Sequence, residues 1–89
     1  GDPDQVEIDV LIRDGKTTLI EIKSSMSKAD VYAFKRKVAF FEKQAGLKAD
    51  RKVIISPMLG RHARKTIEAL GMIVYTTTSE MEQEREVQS

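Results

Sequence analysis

The chain has 89 residues, no cysteine, a hydrophobic fraction of 40%, a charged fraction of 33% and a net charge of +1. That length makes one small domain, burying roughly 60–65% of the surface its unfolded chain would expose, and the composition is that of a folded domain rather than a disordered one. No apolar run nears the ~18–20 residues needed to span a bilayer and no signal-peptide pattern opens the chain; without cysteine there are no disulfides or thiolate metal sites, so a cytoplasmic protein with no membrane partner is expected.

The opening Gly1-Asp2-Pro3-Asp4-Gln5 is abrupt, as in a piece cut from a longer chain. From Val6 to Arg13 β-formers dominate, Asp14-Gly15 makes a turn, and a second run follows from Thr17 to Lys23. This is the strongest short-range hairpin signal in the chain. Ser27 then N-caps a helix, with Asp30 three residues on, where glutamate or glutamine is usual, making an imperfect capping box. The helix pattern runs to Ala45, with Val31, Phe34, Val38 and Phe41 three or four apart, and Gly46 suits its C-terminal cap. A short strand is predicted over Lys52–Ser56, stopped by Pro57. A second helix is expected over Arg61–Leu70, burying Ala63, Thr66, Ile67 and Leu70, and a last strand over Met72–Thr76.

The order ββαβαβ therefore predicts an α/β domain over residues 1–78: a mixed four-stranded sheet flanked by two helices, its hairpin antiparallel and its later strands parallel. Residues 79–89 form an acidic tail with a net charge of −3, which leaves +4 on the remainder. A mildly basic body is compatible with a nucleic-acid partner without specifying one.

Three charges interrupt the two hairpin strands. Glu21 and Lys23 are two apart and so share a face with Leu19. The face of Asp9 depends on register. A two-residue Asp14-Gly15 loop pairs Arg13 with Lys16 and sets Asp9 opposite Ile20, away from Glu21. A three-residue loop, with Gly15 as a left-handed bulge, pairs Ile12 with Lys16 and brings Asp9 onto the face of Glu21. Gly15 before Lys16 favours the bulged form. In that arrangement two carboxylates suit a hard divalent cation, and the neighbouring lysine can orient or help deprotonate a bound water and stabilise charge on a phosphate. The plainer alternative is that Asp9, Glu21 and Lys23 are solvated residues on the open face of an edge hairpin.

Asp9, then eleven residues, then Glu21-Ile22-Lys23, Ser24-Ser25 and a helix resembles the PD-(D/E)XK nuclease superfamily. "EIDVLI" and "TLIEIKSS" are most similar to its Holliday-junction-resolvase-like and RecB-like branches, and to a prokaryotic group carrying such a domain after a coiled coil. The resemblance covers Val6 to about Thr76. It implies a truncated restriction-endonuclease-like core lacking the usual N-terminal helix and first strand. It further implies Asp9 and Glu21 as metal ligands with the Ile22 carbonyl as a third, Mg²⁺ or Mn²⁺ as the ion, and Lys23 as the catalytic lysine. Tyr32 and Lys35 are the candidates for an auxiliary residue from the following helix. The reaction implied is metal-dependent hydrolysis of a phosphodiester, with DNA as the expected substrate. Asp4 would fall outside the hairpin, so Asp9 is the preferred acid.

Beyond that motif, Glu7 shares Asp9's parity and reads as an exposed charge or a further ligand. His62 has no second histidine to share a metal with and reads as a surface residue. Phe34 belongs to the core, whereas adjacent Phe40 and Phe41 cannot both face it, so one of them marks a subunit contact. Arg61, Arg64 and Lys65, beside Gly60, are solvated residues or contacts to a nucleic-acid backbone. A homodimer is expected. The runner-up function is a non-catalytic oligomerising module that keeps the nuclease-like fold, and a third is DNA binding without cleavage.

Overall fold

The computed structural model describes residues 8–76. Six elements follow in chain order: β1 (Asp9–Arg13), β2 (Lys16–Ile22), α1 (Lys28–Ala45), β3 (Arg51–Ile55), α2 (Ala63–Ala69) and β4 (Ile73–Tyr75). The strands make one sheet in the order β1-β2-β3-β4, with β1 antiparallel to β2 and the other pairs parallel. This is the mixed α/β sheet expected from the alternation of strands and helices. The acidic tail, Asp4 and Glu7 lie outside the described residues.

One hydrophobic cluster joins sheet and helices. Leu19 and Ile54 meet Val31, Phe34 and Val38 of α1 and Ala63 and Ile67 of α2, with Val74 half-buried beside them. Both helices therefore cover the same face of the sheet. Phe34 is fully buried, which stabilises the fold by about 2–3 kcal/mol relative to exposure. Phe41 packs against this cluster while Phe40 is exposed, so the two phenylalanines do separate between core and surface.

The ends of α1 follow local chemistry. The Asp30 N–H donates to the Ser27 hydroxyl and the Ser27 N–H to the Asp30 carboxylate, closing a capping box. At the other end Gly46 is left-handed (φ 68°) and its N–H donates to the Glu42 carbonyl. Helix α2 is shorter than predicted, beginning at Ala63. His62 occupies its N-cap position without a side-chain cap, and the Thr66 hydroxyl donates to the His62 carbonyl instead.

The hairpin register differs from the one predicted. Arg13 pairs with Lys16 across a two-residue turn, so Asp9 stands opposite Ile20 and not on the rung of Leu19. Asp14 and Gly15 both have positive φ, 53° and 75°, as a type I′ turn requires. Aspartate tolerates the left-handed region, and the twist of this turn matches that of the strands, so no bulge is needed.

The segments leaving β2 and β3 are tied together at one end of the sheet. The Met26 N–H donates to the Met58 carbonyl (2.9 Å) and the Gly60 N–H to the Met26 carbonyl (2.7 Å). A Cβ at Gly60 would stand 3.3 Å from the Met26 oxygen and the Ser27 Cα, so glycine permits this approach.

Candidate functional site

Glu21 is the sixth residue of β2 and Lys23 the first after it. By strand alternation Glu21 projects with Leu19 toward the helices. Its carboxylate accepts from the Lys37 ammonium of α1 at 3.1 and 3.5 Å, and its side chain is only 13% exposed. Lys23 is more open, at 49%, and its ammonium donates to Asp30 at 2.8 Å. The two pairs form a ladder between strand and helix. Glu21 and Lys23, two apart along the chain, meet residues seven apart, two turns, on α1, and the order reverses because the helix runs back along the strand.

Asp30 is the most heavily bonded carboxylate of the group. The Lys23 ammonium, then the Ser27 N–H, hold its pKa down to about 2 from an ordinary 3.8. It is ionised throughout the neutral range and fixes the Lys23 side chain against the start of α1.

The remaining predicted residues fall in three places. The Lys23 N–H donates to the β3 carbonyl of Ile55, so the trans peptide turns the Ile22 carbonyl toward the β1 side. Asp9 is on that side but exposed, and its rung partner Ile20 lies on the face opposite Glu21. Tyr32 and Lys35 are exposed on other faces of α1; Lys35 lines a shallow cleft with Val38, Lys52 and Met72, away from Glu21. Arg61, Arg64 and Lys65 are exposed where the chain leaves β3 and enters α2. That is the same end of the sheet as Lys23, and ligands of open α/β sheets bind beyond the carboxyl ends of parallel strands.

Lys37 and the second role of Asp30 were not anticipated from the sequence. Asp30 was visible only as a capping residue. Lys37 had one available signal: it lies seven residues after Asp30, beside core residue Val38, on the stripe that faces the sheet.

The donor chemistry, two carboxylates and a carbonyl, suits a hard cation, but the placement does not. Asp9 and Glu21 leave opposite faces of the hairpin, and among the described residues no three His, Cys, Asp or Glu side chains are grouped to hold a metal ion. Glu21 and the Asp30 carboxylate of α1 are each engaged by a lysine.

An antiparallel hairpin feeding a parallel sheet, with an acid-x-lysine pair facing the first helix at the exit of the second strand, defines a restriction-endonuclease-like core. The chain belongs to the PD-(D/E)XK nuclease superfamily, whose family model matches residues 4–73. Among solved structures it is similar to a repair endonuclease from Pyrococcus abyssi (TM-score 0.63, 23% identity, covering 76% of this chain and 30% of that one). It is likewise similar to EndoMS in its apo form (TM-score 0.61, 22% identity, covering 79% of this chain and 32% of that one). The chain thus spans about a third of the length of either neighbour, and at these identities the likeness is one of fold. No curated protein matches. Nucleases of this superfamily generally use divalent metal ions.

Proposed function

We propose that this chain is the core of a nuclease that hydrolyses phosphodiester bonds in DNA. The observation that carries the reading is the Glu21-x-Lys23 pair at the carboxyl end of parallel strand β2, in a member of a nuclease superfamily. Lys23 is the catalytic lysine of this proposal. Its ammonium is half-exposed and can exchange the Asp30 carboxylate for a phosphate oxygen, where it stabilises charge developing in the transition state. Lys37 holds the Glu21 carboxylate in a fixed orientation. Arg61, Arg64 and Lys65, at the same end of the sheet, are the proposed contacts to the nucleic-acid backbone. Tyr32 and Lys35 remain auxiliary candidates on resemblance alone. Magnesium or manganese is proposed on the resemblance alone, which assigns Glu21, the Ile22 carbonyl and Asp9 as donors; in the described register Asp9 faces away and Glu21 is engaged by Lys37, so these donors do not converge. The cytoplasm is the proposed compartment, in keeping with a chain that has no cysteine and, among its described residues, no helix able to cross a membrane.

The test is nicking of supercoiled plasmid with Mg²⁺ or Mn²⁺. Cleavage that needs the ion and falls at least ~100-fold in Lys23→Ala and in Glu21→Gln supports the assignment. A folded chain that leaves the plasmid intact, or cuts equally well without Lys23, removes it.

The second reading, a non-catalytic assembly module, has its own observation. Glu21, which faces α1, and Asp30, in the first turn of α1, are each paired with a lysine, and Asp9 is turned away from them. It predicts a stable oligomer that tolerates substitution of Glu21 and Lys23 together.

A further inference from the structure

The outward face of α1 carries unusual residues for a helix side turned to water. Val31, Phe34 and Val38 mark the buried side. At ~100° per residue, Ala29, Tyr32, Arg36, Ala39, Phe40 and Lys43 fall within an arc of about 100° on the opposite side, and all six are exposed. An amphipathic helix normally meets water there with polar residues. Tyr32 and Phe40 stand in it instead, 37% and 51% exposed. This face lies on the side of α1 away from the sheet, so a strand added at either edge of the sheet leaves it open.

The charge of this face has one sign. Helix α1 has two acids, and both are turned elsewhere: Asp30 holds Lys23, and the Glu42 carboxylate accepts the Ala49 N–H at 2.7 Å. Lys37 is committed to Glu21. Lys28, Lys35, Arg36 and Lys43 remain, all exposed and none in an ion pair among the described residues. Four uncompensated cations thus surround two exposed aromatic rings. Their complement is an anion that also offers flat apolar surfaces. A second copy of the chain docking through the same face would set like charge against like.

Spacing narrows the class of that anion. Four residues of helix advance ~6 Å, so Tyr32 and Phe40 stand ~12 Å apart along the axis with Arg36 halfway between them. In a duplex, successive bases lie about 3.4 Å apart and cover each other's faces, so none is free to stack on a side chain. A single strand can part its bases and lay them on the two rings, with backbone phosphate between them at Arg36. An acidic helix laid along this face would need an apolar seam continuing at every third or fourth residue, and Arg36 and Lys43 interrupt it.

We propose that the outward face of α1 is a binding track for single-stranded nucleic acid, with bases stacked on Tyr32 and Phe40 and phosphates held by Arg36 and Lys43. The track lies across α1 from Glu21, and it binds whether or not the Glu21-x-Lys23 pair cuts.

The test is fluorescence anisotropy of a labelled oligothymidylate of ~20 nucleotides, longer than a usual single-strand site, with a duplex of the same length beside it. EDTA is present throughout, so that no divalent ion supports cleavage. Phe40→Ala and Tyr32→Ala are each expected to weaken single-strand binding at least ~5-fold, while Phe40→Tyr and Tyr32→Phe, which keep the ring, stay within about twofold of the unmodified chain. Arg36→Gln should flatten the slope of log K against log salt by ~0.7, the value for one phosphate of a single strand. The duplex should bind more weakly and be indifferent to Phe40→Ala. No single-strand binding at ~100 μM, where even non-specific complexes form, would overturn the proposal. So would alanine variants that bind as well as the ring-retaining ones, or a duplex that loses as much as the single strand. Equal displacement by poly-glutamate would give the face to an acidic protein instead. Plasmid nicking enters none of these readouts, so failure of the track and failure of the nuclease reading are told apart.

Discussion

Glu21 is the most buried of the acids in the site, and one ammonium keeps it so. Removing a partner from a largely buried charge leaves its desolvation uncompensated, at a cost of about 1–3 kcal/mol. Lys37→Met is therefore expected to lower stability toward urea by ~1–2 kcal/mol, while the same change in a Glu21→Gln background has much less effect. The checking measurement is a double-mutant cycle; a coupling indistinguishable from zero would mean the 3.1 Å pair contributes nothing. Gly15 offers a second residue-scale test. Its φ of 75° is strained for any residue with a Cβ, although nothing lies within 4 Å to obstruct one. Gly15→Ala should thus cost about 1 kcal/mol through the backbone alone.

At the scale of elements, α1 is both the main wall of the core and the plate against which the site is ordered. Its first turn depends on Asp30, whose carboxyl is held down to about 2 by Lys23 and Ser27. A carboxyl with a depressed folded pKa stabilises the fold above its unfolded pKa, about 3.8, and loses that contribution as the pH falls toward 2. The shift alone would be worth about 2 kcal/mol, which solvent screening at this partly exposed pair reduces to ~1. Asp30→Asn should accordingly melt earlier than the unmodified chain at neutral pH, and the two should converge below about pH 2. A difference independent of pH would assign the effect to the cap geometry and not to charge. This element was legible in the sequence, because Ser27, Asp30 and Gly46 mark its ends by local chemistry and Val31, Phe34 and Val38 mark its buried face. The hairpin register was not. Val10, Leu11 and Ile12 are apolar without alternation, so the pattern fits either face, and the turn alone decides. Lys37 was hidden for a related reason: its partner is chosen by two elements packing, and nothing within seven residues of it names Glu21.

At the scale of the molecule, the topology read from the order of elements is the one found, since alternating single strands and helices leave parallel pairing as the short-connection solution. What that topology does is collect charge at one end. Lys23 and Arg61 come from two connections that are hydrogen-bonded to each other through Met26, Met58 and Gly60, and Arg64 and Lys65 from the first turn of α2 that follows. If this end meets nucleic acid, as the proposed function requires, replacing Arg61, Arg64 and Lys65 with alanine should weaken binding across sequences alike. It should also flatten the dependence of log K on log salt by about 1 for each phosphate that is no longer neutralised. A slope unchanged by the triple substitution would move the DNA interface elsewhere.

Among the described residues, the strands lie across the sheet in the order in which they occur along the chain, each beside the one before it. During synthesis, then, no strand has to be inserted between two already paired. The hairpin closes locally, α1 can condense on it, and β3 and β4 add in turn to the same growing edge. The three-residue β4 arrives last, with the least to contribute to its own pairing. Chains emerge from the ribosome slowly compared with hairpin and helix formation, so each step can equilibrate before the next residues appear. Because growth along the described sheet runs in one direction, β2 keeps the neighbour it first pairs with, and the Glu21–Lys37 contact can form as soon as α1 settles on the hairpin, before β3 arrives.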